Sequence, residues 1–281
     1  MTHRPHQQQG MALIAVLWLV AAMSLIISGV VRSVRLEAQS VSVQRQMTIA
    51  GAKADAAILL ALQHLSTQKD ARTPPAQKVQ VNFENTVYDV IVTPLNAYLD
   101  INNASPDLLS DFFQFAAGTD LNTAHHLAQA TVDTRQIKDH KDRQQGFDAP
   151  SDLMNVPGMT YGVYAKVAHL VSADIKGGSG RINPLGAPPE LLAVLAGGNV
   201  ARATQFATQR DANPSTLDST FFKPEYTEMT ASTSTRLRVK IALADGSAIQ
   251  KTWSIYWDTD IQTGLPWHVL DIQQTTLASS L

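Results

Sequence analysis

The sequence predicts an α+β protein in which a long N-terminal helix, apolar enough to be transmembrane, packs on an antiparallel sheet that is interrupted by a large all-helical insertion. Three observations predict this. An uncharged run from Met11 to Val31 continues into a stripe of apolar residues at helical spacing. Two stretches of period-two alternation, each built around a turn signal, lie near residues 79–92 and 237–257. Between them, from about Leu99 to Arg210, alternation gives way to short helical segments divided by Gly and Pro.

Composition limits the rest. A chain of 281 residues, 44% of them hydrophobic, has enough apolar surface for one large core or two smaller ones. A formal charge of −2 supplies no basic excess to neutralise phosphates, so nucleic acid is not expected as a partner. Cysteine is absent, which removes disulfide frameworks, thiolate zinc sites and cysteine nucleophiles together.

The first element is the apolar helix. Residues 11–31, MALIAVLWLVAAMSLIISGVV, carry no charge, and about 20 apolar residues in a helix cross a bilayer core. A cleaved secretory signal needs a small-residue site after the apolar run, but Arg32-Ser33-Val34-Arg35-Leu36 follows, so the helix is expected to be retained. Arg4 on one side and Arg32 and Arg35 on the other leave its orientation undecided by charge. The helix is expected to continue, because Val43, Met47, Ala50, Ala54, Ala57 and Ala61 keep a three-and-four spacing, with Ile58, Leu62 and Leu65 alongside. From Met11 to Leu65 that is roughly 80 Å of helix against about 30 Å of hydrocarbon, so the outer part must pack on protein.

Pro74 and Pro75 end the helix. Val79, Val81 and Phe83 then alternate up to Glu84-Asn85, and a second strand returns over Val87–Val92. Near the C-terminus Leu237, Val239, Ile241 and Leu243 lead to Asp245-Gly246, and Ile249 to Trp257 returns with Trp253, Ile255 and Trp257 on one side. The two hairpins are expected to share one sheet against the helix, with the tryptophans in core packing.

The insertion contains a repeat. Ile101-Asn102 followed by Ala104-Ser105-Pro106-Asp107-Leu108-Leu109 is matched by Ile182-Asn183 followed by Ala187-Pro188-Pro189-Glu190-Leu191-Leu192. Each reads as a helix start: Pro in the first turn, an acid for the N-terminal dipole, then two leucines entering a core. Val156-Pro157-Gly158-Met159 is similar to the turn of a helix-hairpin-helix, where helix N-terminal amides can receive a DNA phosphate. Only Lys166 offers a cation nearby, and Asp148 and Asp152 precede the turn.

Other chemistry is sparse. Asp133, Asp139 and Asp142 are interleaved with cations and read as a solvated face, so calcium is left without assigned ligands. His125-His126 are adjacent and point to different faces, a poor metal pair. No HExxH, P-loop, dinucleotide turn or nucleophile elbow is present; Lys176-Gly177-Gly178-Ser179-Gly180 reads as a linker. We therefore expect no enzyme activity, no cofactor and no catalytic residues.

The leader MTHRPHQQQG, a short polar stretch ending in Gly10 before the apolar run, resembles the type III signal of type IV prepilins and pseudopilins. That resemblance implies cleavage between Gly10 and Met11 by a membrane peptidase, N-methylation of Met11, and an inner-membrane anchor with the globular part in the periplasm. Most members carry Glu at the fifth mature position; here it is Ala15, a substitution that resembles the K-type minor pseudopilin of type II secretion. The repeat is similar to that family's I-N-x-N-T-A-P-x-x-L run, and Ser151-Asp152-Leu153-Met154-Asn155-Val156-Pro157-Gly158-Met159 to its S-x-x-E-L-x-x-V-P-G-M run. The implied organisation is a leader at 1–10, membrane helix at 11–31, pseudopilin domain at 32–98 and 211–281, and a helical insertion at 99–210. The implied function is initiation of the pseudopilus at its tip in support of protein export across the outer membrane. The implied partners are the I and J minor pseudopilins, the major pseudopilin, the prepilin peptidase and exported substrates, with calcium in some members. The alternative is a membrane-anchored DNA-binding or uptake protein using Val156–Met159.

Overall fold

The computed structural model describes residues 9–67, 76–137, 146–173, 178–212, 217–259 and 263–278, with side chains from Leu13 onward. Most of the leader, Pro74, Pro75, Asp139, Asp142, Lys176 and Gly177 lie outside the described residues. The chain divides into two compact units, Met1–Ala52 and Lys53–Leu281.

One helix, α1 (Gln9–Thr67), supplies the described part of the first unit and the start of the second. Within the second unit Ala54, Ala57, Ile58, Ala61, Leu62 and Leu65 are buried, which is the later part of the predicted stripe; at its start Val43 is exposed and Met47 half-buried. Three alanines in that stripe let the helix approach a sheet closely. Asp55 fixes the contact: its carboxylate accepts from Trp253 Nε1 at 3.1 Å and Lys251 Nζ at 3.0 Å.

The sheet is antiparallel and five-stranded. Strand β1 (Gln77–Phe83) pairs with β2 (Thr86–Pro94) in a register that places Val79 opposite Val90. Glu84 and Asn85 between them both have positive φ, 50° and 59°, the geometry of a type I′ hairpin turn. Lys53 of α1 holds that turn through a 2.9 Å ion pair with Glu84.

β3 (Leu99–Asp100) and β4 (Val171–Ser172) belong to the insertion; β5 (Ser234–Ala242) and β6 (Ala248–Tyr256) form the second hairpin. β5 pairs with β2, Val239 opposite Val90, so both hairpins join in one sheet as expected. A fifth strand, β7 (His268–Leu277), completes the order β1-β2-β5-β6-β7. It was not anticipated, because HVLDIQQTTL alternates poorly: a register shift opposite Ser254–Ile255 breaks its parity, and most of the strand is exposed.

The insertion is not all-helical. Its helices are α2 (Pro106–Phe115), α3 (Leu121–Arg135), α4 (Tyr161–Val167), α5 (Pro189–Leu195) and α6 (Val200–Ala212). β3 and β4 pair in parallel, and Ile182 bridges Thr227, also in parallel. Two-residue strands, buried on both faces at Leu99 and Val171, have no room to display a period-two pattern. The insertion's core also takes in Phe222 and Tyr226, past Arg210.

The repeat is real, but its register differs from the sequence match. A single offset aligns Leu99-Asp100 with Ile182-Asn183, Ile101 with Pro184, Ala104 with Ala187, and Pro106 with Pro189. Both halves make the same bonds. The Asp100 carbonyl accepts from Ala104 N at 2.8 Å, and the Asn183 carbonyl from Ala187 N at 3.1 Å. Asp100 Oδ1 accepts from Asn102 N, as Asn183 Oδ1 does from Leu185 N, both at 3.0 Å. Arg135 Nη1 donates to the Ile101 and Ala104 carbonyls, and Arg210 Nη1 to those of Pro184 and Ala187. Each half then closes through a 3-10 turn, Ala168–Leu170 or Pro224–Tyr226, into its parallel partner. The insertion thus repeats one design, an extended start, two helices and a parallel return: β3-α2-α3-β4 with α4 added before the return, and Ile182-α5-α6-Thr227 with a single bridge in place of strands.

Two features fasten it to the sheet. Asn96, almost fully buried, donates to the Thr230 carbonyl at 2.8 Å, and its own carbonyl receives Asn183 N at 2.7 Å, tying the start, middle and end of the insertion. On the face of β5 opposite α1, Arg236 lies 4.0 Å over the Tyr98 ring and Arg238 donates to the Tyr98 hydroxyl at 2.8 Å.

Candidate assembly and processing site

The functional residues predicted from sequence lie at the start of α1. Gly10 and Met11 fall in its first turn, since the helix begins at Gln9. Ala15 follows one turn later with its side chain exposed.

From Leu13 to Leu36 every large apolar side chain is exposed, from 44% at Val31 to 75% at Leu25. The exposure is on all sides of the helix, so no single amphipathic face explains it; such a helix needs an apolar surround. Eleven Leu, Ile and Val residues lie within 11–31. At about 0.3–0.6 kcal/mol each, they favour insertion into a bilayer by roughly 3–7 kcal/mol before smaller opposing terms, with no charge to offset them. The two hydroxyls that could oppose insertion are satisfied within the helix: Ser24 Oγ donates to the Val20 carbonyl and Ser28 Oγ to that of Ser24, both at 2.8 Å. The helix is therefore long and apolar enough to cross a membrane.

The turn singled out for DNA sits differently from a helix-hairpin-helix. Pro150–Asn155 is a 3-10 helix, and α4 beyond the turn has seven residues. Thr160 Oγ1 already accepts from Val163 N at 3.3 Å, and Lys166 Nζ donates to the Ala117 carbonyl at 2.9 Å. Gly158, at φ +86°, lets the turn lie against α3: a Cβ there would come 3.3 Å from His126 Nδ1. The turn thus packs two helices together and spends its nearby cation on the C-terminus of α2.

Asp133 accepts from Gln129 Nε2 at 2.8 Å, and His125 Nδ1 shares a 3.1 Å hydrogen bond with Ser110 Oγ. Among the described residues no three His, Asp or Glu gather around one point. Trp253 and Trp267 are buried, and Trp257 meets Trp267 edge-on at 6.1 Å, which is core packing.

Sequence reasoning passed over Arg135, Arg210 and Asp100. Burial pushes the Asp100 carboxyl above the usual carboxylate range, opposed by donors from Asn103 and Asn102 and by the Arg135 guanidinium. Arg135 is lowered by its own burial and supported by Asp100. The available signal was an arginine near the C-terminus of the second helix in each half. No family model matches the chain, and no curated protein matches it.

Proposed function

We propose that the chain is a membrane-anchored, processed subunit of an envelope fibre, a K-type minor pseudopilin of a type II secretion system. The observation that carries this reading is α1: an all-round apolar, uncharged segment directly after Gly10 runs without interruption into the helix that lines an α+β head. A plain membrane tether has no need for helical continuity into the core of its head, whereas a subunit that bundles through its N-terminal helix does.

In this reading the chain anchors in the inner membrane, is cut between Gly10 and Met11, methylated at Met11, and presents its head to the periplasm. It works with the I and J minor pseudopilins and the major pseudopilin in fibre initiation and protein export, without covalent chemistry of its own. Ala15 and the insertion support a position at the tip. Without a carboxylate at Ala15 the chain cannot offer a buried acid to a neighbour above it, a contact worth making only when paired in the bilayer. The helical insertion obstructs further stacking. Gold labelling of the full chain on isolated fibres is expected to mark one end, and Ala15→Glu to spread label along the shaft. Label along the shaft in the wild type, or no change in the variant, contradicts the tip assignment.

A further inference from the structure

We propose that Arg32 and Arg35 form a binding site for the phosphate of an anionic phospholipid, holding α1 at a fixed depth. The two guanidiniums lie at i and i+3 on one helix face, where Cβ atoms are about 5–6 Å apart. They line one groove with Ile27, Ser28, Val31, Leu36 and Gln39. Ile27 and Val31 lie on the membrane side of the arginines, and Leu36 and Gln39 lie beyond them. Ser28 is turned inward to the Ser24 carbonyl and does not compete for a ligand. The ion pairs among the described residues engage Lys53, Lys78, Arg210, Lys223 and Lys251, and none of them involves Arg32 or Arg35.

Depth selects the ligand. The uncharged run from Met11 to Val31 spans about 31 Å at 1.5 Å per residue, matching a hydrocarbon core of about 30 Å. Arg32 then stands at the hydrocarbon edge and Arg35 one turn beyond, the layer occupied by lipid phosphates. A planar guanidinium pair matches a phosphodiester through paired N–H donors. The acyl chain of the same lipid can lie along Ile27 and Val31. A carboxylate is the competing occupant, and Glu37 of a second copy, two residues beyond Arg35 on the exposed part of α1, would bring one near this depth.

The site rests on the membrane-span reading, and its test separates the two. Full-length chain is reconstituted in nanodiscs of equal phosphatidylglycerol and phosphatidylcholine, released, and its retained lipids are counted by native mass spectrometry. Wild type is expected to retain phosphatidylglycerol preferentially, R32Q/R35Q to lose that preference by roughly twentyfold, and R32K/R35K to keep part of it. Added inorganic phosphate is expected to leave retention unchanged. Equal retention in R32Q/R35Q, or displacement by phosphate alone, overturns the site. Alkaline extraction of the same membranes distinguishes the failures. A chain released as soluble protein contradicts the span and the site together; a pelleted chain without lipid preference contradicts only the site.

Discussion

Two arginines with no apparent chemistry hold the insertion together, each by bridging two carbonyls that precede a helix. Replacing Arg135 or Arg210 by Gln strands those carbonyls in a largely buried place, and each loss is predicted to cost about 1–3 kcal/mol. Urea denaturation of the full chain in detergent, followed by circular dichroism, measures this; a change below about 0.5 kcal/mol at both positions would show the bonds to be incidental. Asp100 makes a different prediction, because its equivalent in the second half is Asn183. A carboxyl raised in the folded state stabilises fully below its unfolded pKa, about 3.9, and that contribution is lost as pH rises through the higher folded value. The stability of wild type relative to Asp100→Asn should therefore fall as pH rises through that window. Taking the difference cancels the opposite trend from Asp89, Asp120, Asp218 and Asp245, whose carboxyls are held low by hydrogen bonds. A flat or rising difference contradicts the burial argument.

The two halves of the insertion meet at Gly180, just before the second begins. It adopts φ +72°, and a Cβ there would stand 2.1 Å from the Asn103 carbonyl oxygen, which no side-chain adjustment relieves. Gly180→Ala is predicted to cost roughly 3 kcal/mol or more, combining left-handed strain with a backbone clash. Gly197 has a similar φ of +63° but open space around it, so Gly197→Ala should cost only about 1 kcal/mol. Equal melting shifts for the two variants contradict the close approach. The elements themselves differ in how far the sequence revealed them. α1 and both hairpins were legible because burial imposes their periods: the alanine stripe at three and four, and the alternation of Val79, Val81, Val90 and Val92 around positive-φ turns. β7 was not, because only a strand buried on one face must alternate, and Val269 and Ile272 stay exposed at 45% and 48%. The repeat was visible in its proline and leucine positions, which local helix geometry dictates. Its register was not, since the bonds from Arg135 and Arg210 join residues far apart in sequence.

At the scale of the molecule, α1 combines two kinds of segment. Its first part is long and apolar enough to cross a membrane, while Ala54, Ala57, Ile58, Ala61, Leu62 and Leu65 are buried in a protein core. The site was legible to the same extent: the uncharged run and its boundary at Arg32 can be read directly, since each residue's transfer energy is its own. Partners could not be read, because an apolar helix fits lipid and other apolar helices alike, and surface complementarity leaves no period in one sequence. The central claim, that this helix begins at a processed terminus, predicts one covalent outcome. Full-length protein is purified from membranes of a host containing prepilin peptidase, and its intact mass and N-terminal residue are determined. The account predicts a chain beginning at Met11 and carrying one added methyl group; a chain that keeps Met1–Gly10, or one cut beyond Val31, contradicts it.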